Sequence, residues 1–459
     1  MRDIVLAALV GALLIAVFKH PVVGAYLWAW LSLMNPHKLT YGFAFRLPFA
    51  LAAAAVTLVM VLVTKKKQGL PMTGVVVGLM ALVLWMSFTS FFAMAAAEDV
   101  MERWIYIIKM VLMLLVTWML VTDAKQLRLL IWVVTFSVCF FGVKGGVWTV
   151  LTGGGGRVWG PPGGMLEENN ALAVALVMLT PMLYFLWQTE TNKWLRRLLL
   201  FSMVTVVFSI LGSQSRGALL ALVAMSFFLG LKGKYPVRTS VLIMLGVVIA
   251  ITFMPDSWSR RMESLNSYEE DTSAMSRIWT WKTLWAAALD RPIIGVGFRA
   301  DNLTVFARYA PLDGFFAVFA GKVFVAHSIY LQMLGEHGFV GLFLFLGLGA
   351  TTWLTASSIA RQCKDDAEFG PWMPLLMRMV QVSLIGYAAG GAFLSLAYLD
   401  LPYYIIGFVV SCSILLRKRA SQAGKAGAAS VTATATAVAK PPAVSSRAPQ
   451  VVRRDAAPR

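Results

Sequence analysis

The sequence predicts an all-α polytopic membrane protein with about twelve transmembrane helices and one long, helix-containing loop. Hydrophobic residues make up 59% of the 459 residues, charged residues only 14%, and the mean hydropathy is +0.74. A soluble domain has roughly 45–50% apolar and about 25% charged residues. The apolar residues also fall in repeated runs, each close to the ~20 residues that span a bilayer core. This composition excludes a water-soluble enzyme.

The apolar runs define the predicted helices in chain order. They cover residues 4–18, 21–34, 47–63, 72–96, 104–121, 128–150, 171–188, 198–211, 217–231, 237–253, 326–359, 371–391 and 401–416. No small-residue cleavage site follows the first run, so we expect it to stay in the membrane.

The short loops alternate in charge, which predicts the orientation of the helices. One set holds sixteen basic residues, and the intervening set holds only Arg103, Arg157 and Arg216. Because basic loops stay on the cytoplasmic side, the richer set is predicted to be cytoplasmic, together with both termini. Three apolar runs precede Lys65, yet a cytoplasmic N-terminus allows only an even number of crossings there. We therefore expect two crossings, with one short run kinked, re-entrant or interfacial.

Four regions follow from this topology. They are N-terminal transmembrane helices (1–253), a periplasmic loop (254–325), C-terminal transmembrane helices (326–416) and a disordered basic cytoplasmic tail (417–459). The loop is far longer than an ordinary connection, and such loops are usually functional or disordered. Within it, the spacing of Trp279, Trp281, Leu284 and Trp285 predicts an amphipathic helix on the membrane or over a cavity.

Several classes of function lack their usual signals. The net charge is +18, but many of the basic residues lie in short loops between apolar segments, where they indicate membrane orientation. Nucleic acid is therefore not an expected partner. The run Gly153 to Gly156 has no lysine where a phosphate-binding loop requires one. No zinc motif or acidic cluster for magnesium is present in the sequence. We expect a reaction without metal or cofactor.

Arginines on the predicted outer side are candidates for binding phosphate, because guanidinium groups bind phosphate oxygens in bidentate fashion. Arg216 lies between two apolar segments with almost no loop, where a charge is costly unless it faces a wet cavity. The alternative is that it caps a helix end or extends to a lipid phosphate. Further candidates are Arg157, Arg260, Arg261, Arg277, Arg291, Arg299 and Arg308.

Two histidines and two lysines complete the set of candidates. His327 opens the apolar segment after the long loop, where its imidazole could act as a general base. His337 follows ten residues later, so the two could not share a metal on a regular helix. Each histidine could equally be a buried, hydrogen-bonded residue. Lys109 and Lys144 lie in apolar segments, where they extend to the membrane surface or contact an anionic substrate.

Read together, four short segments resemble the O-antigen ligase and O-antigen polymerase superfamily of bacterial membrane glycosyltransferases. They are residues 215–217 (Ser-Arg-Gly), 276–279 (Ser-Arg-Ile-Trp), 290–297 (Asp-Arg-Pro-Ile-Ile-Gly-Val-Gly) and 326–341. The last contains the ligase pattern of His327, Ser328, nine residues, Gly338, two residues and Gly341. The N-terminal segments 1–5 and 34–37 look like members described as O-glycosylation ligases of exopolysaccharide systems.

The resemblance implies a GT-C-like fold in the bacterial inner membrane and a periplasmic active site. It implies inverting, metal-independent transfer of a glycan, en bloc, from undecaprenyl diphosphate to an acceptor hydroxyl, foremost that of a lipid A-core sugar. By position in the motifs, His327 takes the role of base, and Arg216 and Arg277 bind the diphosphate.

Other functions remain open at this stage. Transfer to a protein hydroxyl and polymerisation of the lipid-linked glycan fit the same motifs. A flippase or solute transporter would also have about twelve helices, but transporters commonly have two repeated halves. No such repeat is visible in the sequence, which favours an enzyme with a one-sided site.

Overall fold

The computed structural model describes residues 1–65, 67–70, 72–232, 246, 248, 252 and 272–438. The chain divides into two units between Ile414 and Leu415, and the contacts below all belong to the first unit. Arg260, Arg261 and most of the predicted segment 237–253 lie outside the described residues.

The described residues form helices and loops without a β-strand. The α-helices are α1 (Arg2–Lys19), α2 (Val22–Met34), α3 (Phe49–Val63), α4 (Gly74–Ser90), α5 (Ala97–Leu120), α6 (Ala124–Leu151), α7 (Asn169–Thr189), α8 (Lys193–Gly212), α9 (Arg216–Lys232), α10 (Thr272–Asp290), α11 (Leu303–Tyr309), α12 (Ile329–Gln362), α13 (Met373–Gly391) and α14 (Asp400–Val438). Short 3₁₀ turns connect α2 to α3 and follow α11.

The described helices correspond to the predicted apolar runs other than 237–253, and the described part of the chain is all-α, with several helices of membrane-spanning length. Among the described residues, six helices are long and apolar enough to cross a membrane: α5, α6, α7, α8, α12 and the Asp400–Gln422 part of α14. The helices α2, α3 and α4 are apolar but shorter. The count of twelve crossings stays a prediction.

Loops predicted to share a side of the membrane contact each other. In the basic set, the Gln68 amide donates to the Trp118 carbonyl, 2.8 Å away, and Arg128 pairs with Glu190 at 3.0 Å. In the other set, the Val158 N–H donates to the Gly212 carbonyl at 3.2 Å. The alternation of charge in the sequence therefore corresponds to two ends of the helix bundle.

The N-terminus departs from the prediction. Asp3 accepts hydrogen bonds from the backbone N–H groups of Gly42 and Ala44, both at 3.0 Å. The start of α1 thus lies beside the loop between α2 and α3, at the end opposite to Lys65. Helix α2 therefore runs antiparallel to both α1 and α3, and an N-terminus on the side of the basic loops does not fit this contact. The charges of the sequence did not predict the direction of α1, because this helix has a basic residue at each end, Arg2 and Lys19.

The last helix runs into the predicted C-terminal tail. Helix α14 continues to Val438, past residue 417, where the predicted tail begins, and the disorder of that tail stays a prediction. Alanine has the highest helix propensity of all residues, and the segment after Ala420 is rich in it. Residues 439–459 lie outside the described part of the chain.

Glycines allow the closest helix packing in the bundle, between α6 and α8. A Cβ built on Gly146 would lie 1.8 Å from the Thr205 carbonyl oxygen, and one on Gly145 would lie 2.7 Å from Ser209 Oγ. Membrane helices use small residues in this way, because backbones can then approach and gain van der Waals contact. The α6–α8 contact in turn supports α7, whose buried side chains lie at the centre of the bundle.

Gly146→Ala should therefore destabilise the protein, since the clash is with backbone that cannot rotate away. We expect a loss of about 1–3 kcal/mol in the free energy of unfolding, as for other overpacked sites. The matched control is Gly11→Ala in α1, where a Cβ meets nothing within 4 Å. Unfolding in detergent, followed by circular dichroism, measures both variants. Equal stability of the two would contradict the close α6–α8 contact.

Candidate active site

A polar cavity of about 480 Å³ lies at the end of the bundle opposite to the basic loops. Its charged and polar lining residues are Arg103, Glu167, Glu168, Arg299, Asp301, His327, Gln332, Glu336 and Ser395. Its volume is in the usual range for small-molecule sites, about 300–1,000 Å³. The walls come from α5, the loop before α7, the segment between α10 and α11, the start of α12 and the turn after α13.

His327 lies in the cavity wall, held by contacts on both sides. It precedes α12, whose first turn is capped by the Ser328 hydroxyl. The Trp281 indole donates to the Ala326 carbonyl at 2.8 Å, and the His327 N–H donates to Ser395 Oγ at 2.8 Å. The backbone of His327 has a φ of 46°, the left-handed region. These contacts hold the backbone of His327 outside α12, and the residue lines the cavity.

The surroundings keep the His327 imidazole neutral. Burial, followed by the positive charge of Arg277, lowers the pKa of His327 from 6.5 to about 4. A neutral imidazole at physiological pH has a free lone pair to accept a proton.

Arg277 and Arg216, the two predicted diphosphate ligands, do not line this cavity. Arg277 is one helical turn before Trp281 on α10, and its charge acts on the His327 pKa. Arg216 begins α9, and a Cβ on its neighbour Gly217 would be 3.2 Å from Phe393 Cβ. Phe393 and Ser395 belong to the same turn after α13. The turn that contains Arg216 therefore packs against the turn whose Ser395 binds the His327 backbone.

Arg299, a weaker sequence candidate, does line the cavity. It has a φ of 64°, and its backbone N–H donates to Glu336 Oε1 at 3.2 Å. Glu336 is 4% exposed and also accepts from the Ala300 N–H and the Tyr398 hydroxyl. The buried carboxylate therefore holds the turn that presents Arg299.

Sequence reasoning missed Arg103 and Glu336 as cavity residues. Arg103 was visible only as one of three basic residues in the sparse loop set. Glu336 was visible as a carboxylate within a long apolar segment, where an ionisable residue is a functional candidate by default.

The remaining candidates lie elsewhere. Arg157 is exposed, and Arg291 follows α10 outside the cavity lining. Arg308 pairs with Asp290 at 3.1 Å on the surface. His337 is fully buried, with Thr89 Oγ1 2.6 Å from Nδ1 and the Tyr398 hydroxyl 2.9 Å from Nε2. Both ring nitrogens of His337 are thus engaged in holding α4 and the α13–α14 turn.

An apolar groove begins beside the cavity. It has a volume of about 450 Å³ and starts at Ile329 and Tyr330, directly after His327 and Ser328. Its other lining residues come from α12, α13 and α14 and include Phe345, Trp353 and Ile406. A polar cavity that adjoins an apolar groove suits a substrate with a charged head and a hydrocarbon chain.

Comparison with known families gives two matches. Residues 201–346, which include His327, Arg216 and Arg277, match the family described as O-antigen ligase. This region of the chain, residues 201–346, belongs to the O-antigen ligase superfamily. Residues 1–191 match a family of unknown function, DUF5935. No curated protein matches the chain at a significant level.

In this superfamily member, the motif glycine Gly338 breaks α12 directly after His337. Its φ of 69° and ψ of −173° are a conformation that essentially only glycine adopts. A Cβ there would lie 2.2 Å from the Ile293 carbonyl oxygen. The break lets the Phe339 N–H donate to the Pro292 carbonyl at 2.8 Å, so the motif glycine joins the end of α10 to α12.

Gly338→Ala should therefore separate the α10–α11 segment from α12 and disturb the cavity. We expect a loss of about 1–3 kcal/mol in the free energy of unfolding from backbone strain alone. We also expect the activity to fall, because the cavity wall moves. The control is Gly347→Ala in the same helix, where a Cβ meets nothing within 4 Å. Unfolding in detergent checks the pair, and wild-type stability of Gly338→Ala would refute this role.

Proposed function

We propose that this protein transfers a glycan from a polyprenyl diphosphate to an acceptor hydroxyl at the polar cavity. The observation that carries the proposal is the neutral imidazole of His327 in the wall of this cavity, next to Arg277 and directly before an apolar groove. The family match gives the same class of reaction.

The chemistry needs one base and several fixed cations. The acceptor oxygen attacks the anomeric carbon, the bond from that carbon to the diphosphate oxygen breaks, and the hydroxyl proton passes to His327. The leaving diphosphate takes the bonding electrons and remains on its lipid, and the configuration at carbon inverts. We expect Arg277, whose charge acts on His327, to stabilise the growing negative charge, as preorganised cations do in a site screened from water, and Arg216 to share this role by its place in the motif.

Three of the four carboxylates that line the cavity, all but Glu168, have partners. Asp301 lies 3.9 Å from the Arg299 guanidinium, Glu167 accepts from the Gly163 N–H at 2.9 Å, and Glu336 is bonded to backbone. Arg103 and Arg299 add positive charge to the same wall. The diphosphate is therefore expected on the His327 side, with its polyprenyl chain in the apolar groove.

Binding of the donor would also strengthen the base. The pKa of His327 is low partly because of the Arg277 charge. A bound diphosphate offsets that charge and raises the pKa, so His327 becomes a better proton acceptor when the donor is in place.

The expected donor is a glycan on undecaprenyl diphosphate, and the first expected acceptor is a lipid A-core sugar. The cavity would then face the periplasm from the bacterial inner membrane. Transfer to a protein hydroxyl and polymerisation of the lipid-linked glycan are the nearest alternatives. A flippase or solute transporter is less well supported, because the cavity and its cations lie at one end of the bundle.

Purified protein in nanodiscs, supplied with lipid-linked glycan and a lipid A-core acceptor, tests the proposal. A conjugate indicates a ligase, a longer lipid-linked chain indicates a polymerase, and wild-type protein that gives neither product refutes both. His327→Asn should lower the rate about 10²–10⁴-fold, with donor binding retained. Asparagine tolerates the left-handed backbone at this position, so the variant removes the imidazole without strain. Near-wild-type turnover would remove His327 from the mechanism.

The acid limb of the pH profile gives a second test. Because only neutral His327 accepts a proton, activity falls as pH drops through its pKa, near 4 in the free protein. The acid limb of the kcat/KM profile should thus have its midpoint well below pH 6.5. The acid limb of the kcat profile should lie at higher pH, because the bound donor offsets the positive charge of Arg277. Arg277→Gln should move the kcat/KM limb upward. Thermal unfolding at each pH controls for acid denaturation, and a limb near 6.5 in both proteins would contradict this electrostatic environment.

A further inference from the structure

A second cavity, of about 490 Å³, adjoins the first. The two share four lining residues: Arg103, Gly164, Met165 and Arg299. The second cavity is otherwise lined by Trp28, Ser32, Asn35, Ala50, Asp99, Glu102, Tyr106, Lys109, Met110, Gly163 and Asp400. With the exception of Arg299 and Asp400, all of its lining lies within residues 1–191, which match the family of unknown function.

Contacts between loops build the wall between the two cavities. A Cβ on Gly164 would lie 2.6 Å from Asn35 Nδ2, so the loop before α7 packs directly on the end of α2. On the far wall, Asp400 is 6% exposed and accepts a hydrogen bond from the Tyr106 hydroxyl. The cavity is therefore bounded by folded elements on several sides, and Arg103 and Arg299 stand at its junction with the His327 cavity.

The lining carries equal numbers of acidic and basic residues. Three carboxylates, Asp99, Glu102 and Asp400, stand against three cations, Arg103, Lys109 and Arg299. The lining combines these charged groups with apolar side chains, among them Trp28, Met110 and Met165. It offers many hydrogen-bond donors and acceptors, including the Asn35 amide and the Ser32 hydroxyl.

Aromatic rings add the second feature. Trp28 and Tyr106 both contribute to the lining. An aromatic face packs on the C–H face of a sugar ring, and carboxylates and amides accept and donate hydrogen bonds to its hydroxyl groups. A neutral ligand rich in hydroxyl groups fits both features together.

Lys109 gains an explanation from this cavity. It lies in the middle of the apolar helix α5, where a charge is costly unless it faces a polar space. Lys144, which also lies in an apolar helix, α6, lines neither of the two cavities. The two lysines look alike in the sequence and differ in surroundings.

We propose that the second cavity binds the saccharide part of one substrate, beside the reacting atoms in the first. The proposal rests on the proposed glycosyl transfer and assigns a task to the N-terminal region: it supplies a saccharide subsite, while the O-antigen ligase region supplies the reacting groups. The saccharide belongs either to the lipid-linked donor or to the acceptor.

The double variant Glu102→Gln/Lys109→Gln tests the subsite, because both side chains are exposed and their loss leaves the core intact. In the nanodisc transfer assay, we expect KM to rise about tenfold or more for one substrate, with kcat at saturation nearly unchanged, as when ground-state binding is lost. A rise for the acceptor places the acceptor saccharide in the cavity, and a rise for the donor places the donor glycan there. The matched control is Glu98→Gln/Lys144→Gln, whose side chains line neither cavity and whose KM values should equal those of wild type.

Direct binding separates failure of the subsite from failure of the proposed reaction. The probes are the deacylated core oligosaccharide of lipopolysaccharide and the glycan released from the lipid-linked donor by mild acid. Saturation-transfer NMR in detergent should detect one of them on wild-type protein and on the control variant, with loss of signal on Glu102→Gln/Lys109→Gln. Binding of this kind without any transfer product would sink the proposed reaction and leave the subsite standing. Unchanged KM values together with no difference in binding between the variants would overturn the subsite.

Discussion

The site depends on the contact between the segment after α10 and the start of α12. The Val296 and Gly297 N–H groups donate to the carbonyls of Gly335 and Glu336 at 2.9 and 2.8 Å, and the Glu336 carboxylate binds the backbone of Arg299. Buried backbone groups in a membrane protein must find partners, because lipid offers none. These bonds join the non-helical segment to a membrane helix, and they hold Arg299 at the cavity.

The same contact explains why glycines occupy the motif positions. Gly338 interrupts α12 so that Phe339 can bond to Pro292, and Gly297, with a φ of 76°, lies against Ala93 at the end of α4. A Cβ at either position would meet backbone at 2.5 Å or less. The motif glycines thus allow three chain segments to approach closely. His337 adds to this contact through hydrogen bonds with Thr89 and Tyr398. One histidine of the motif region therefore holds the fold, while the other, His327, faces the cavity.

The two sequence regions have complementary parts in the molecule. The region that matches the O-antigen ligase family contributes His327, Arg277, Arg216 and Arg299. The N-terminal region contributes Arg103 and the loop before α7 to the His327 cavity, and nearly all of the second cavity. In the proposed reaction, such a site would separate the reacting groups from the surface that surrounds the rest of the substrate.

Sequence by itself determined the all-α class and the positions of most helices, because hydrophobic runs of fixed length are local signals. It predicted a helix at the tryptophans of α10, which the structure confirms at Thr272–Asp290. The tertiary structure decided which charges meet. Arg103 and Glu336 reach the His327 cavity from distant segments, Lys109 and Lys144 differ only in their neighbours, and Asp3 fixes the direction of α1 through Gly42. These outcomes depend on contacts between residues far apart in the chain, and hydropathy and charge spacing carry no information about them.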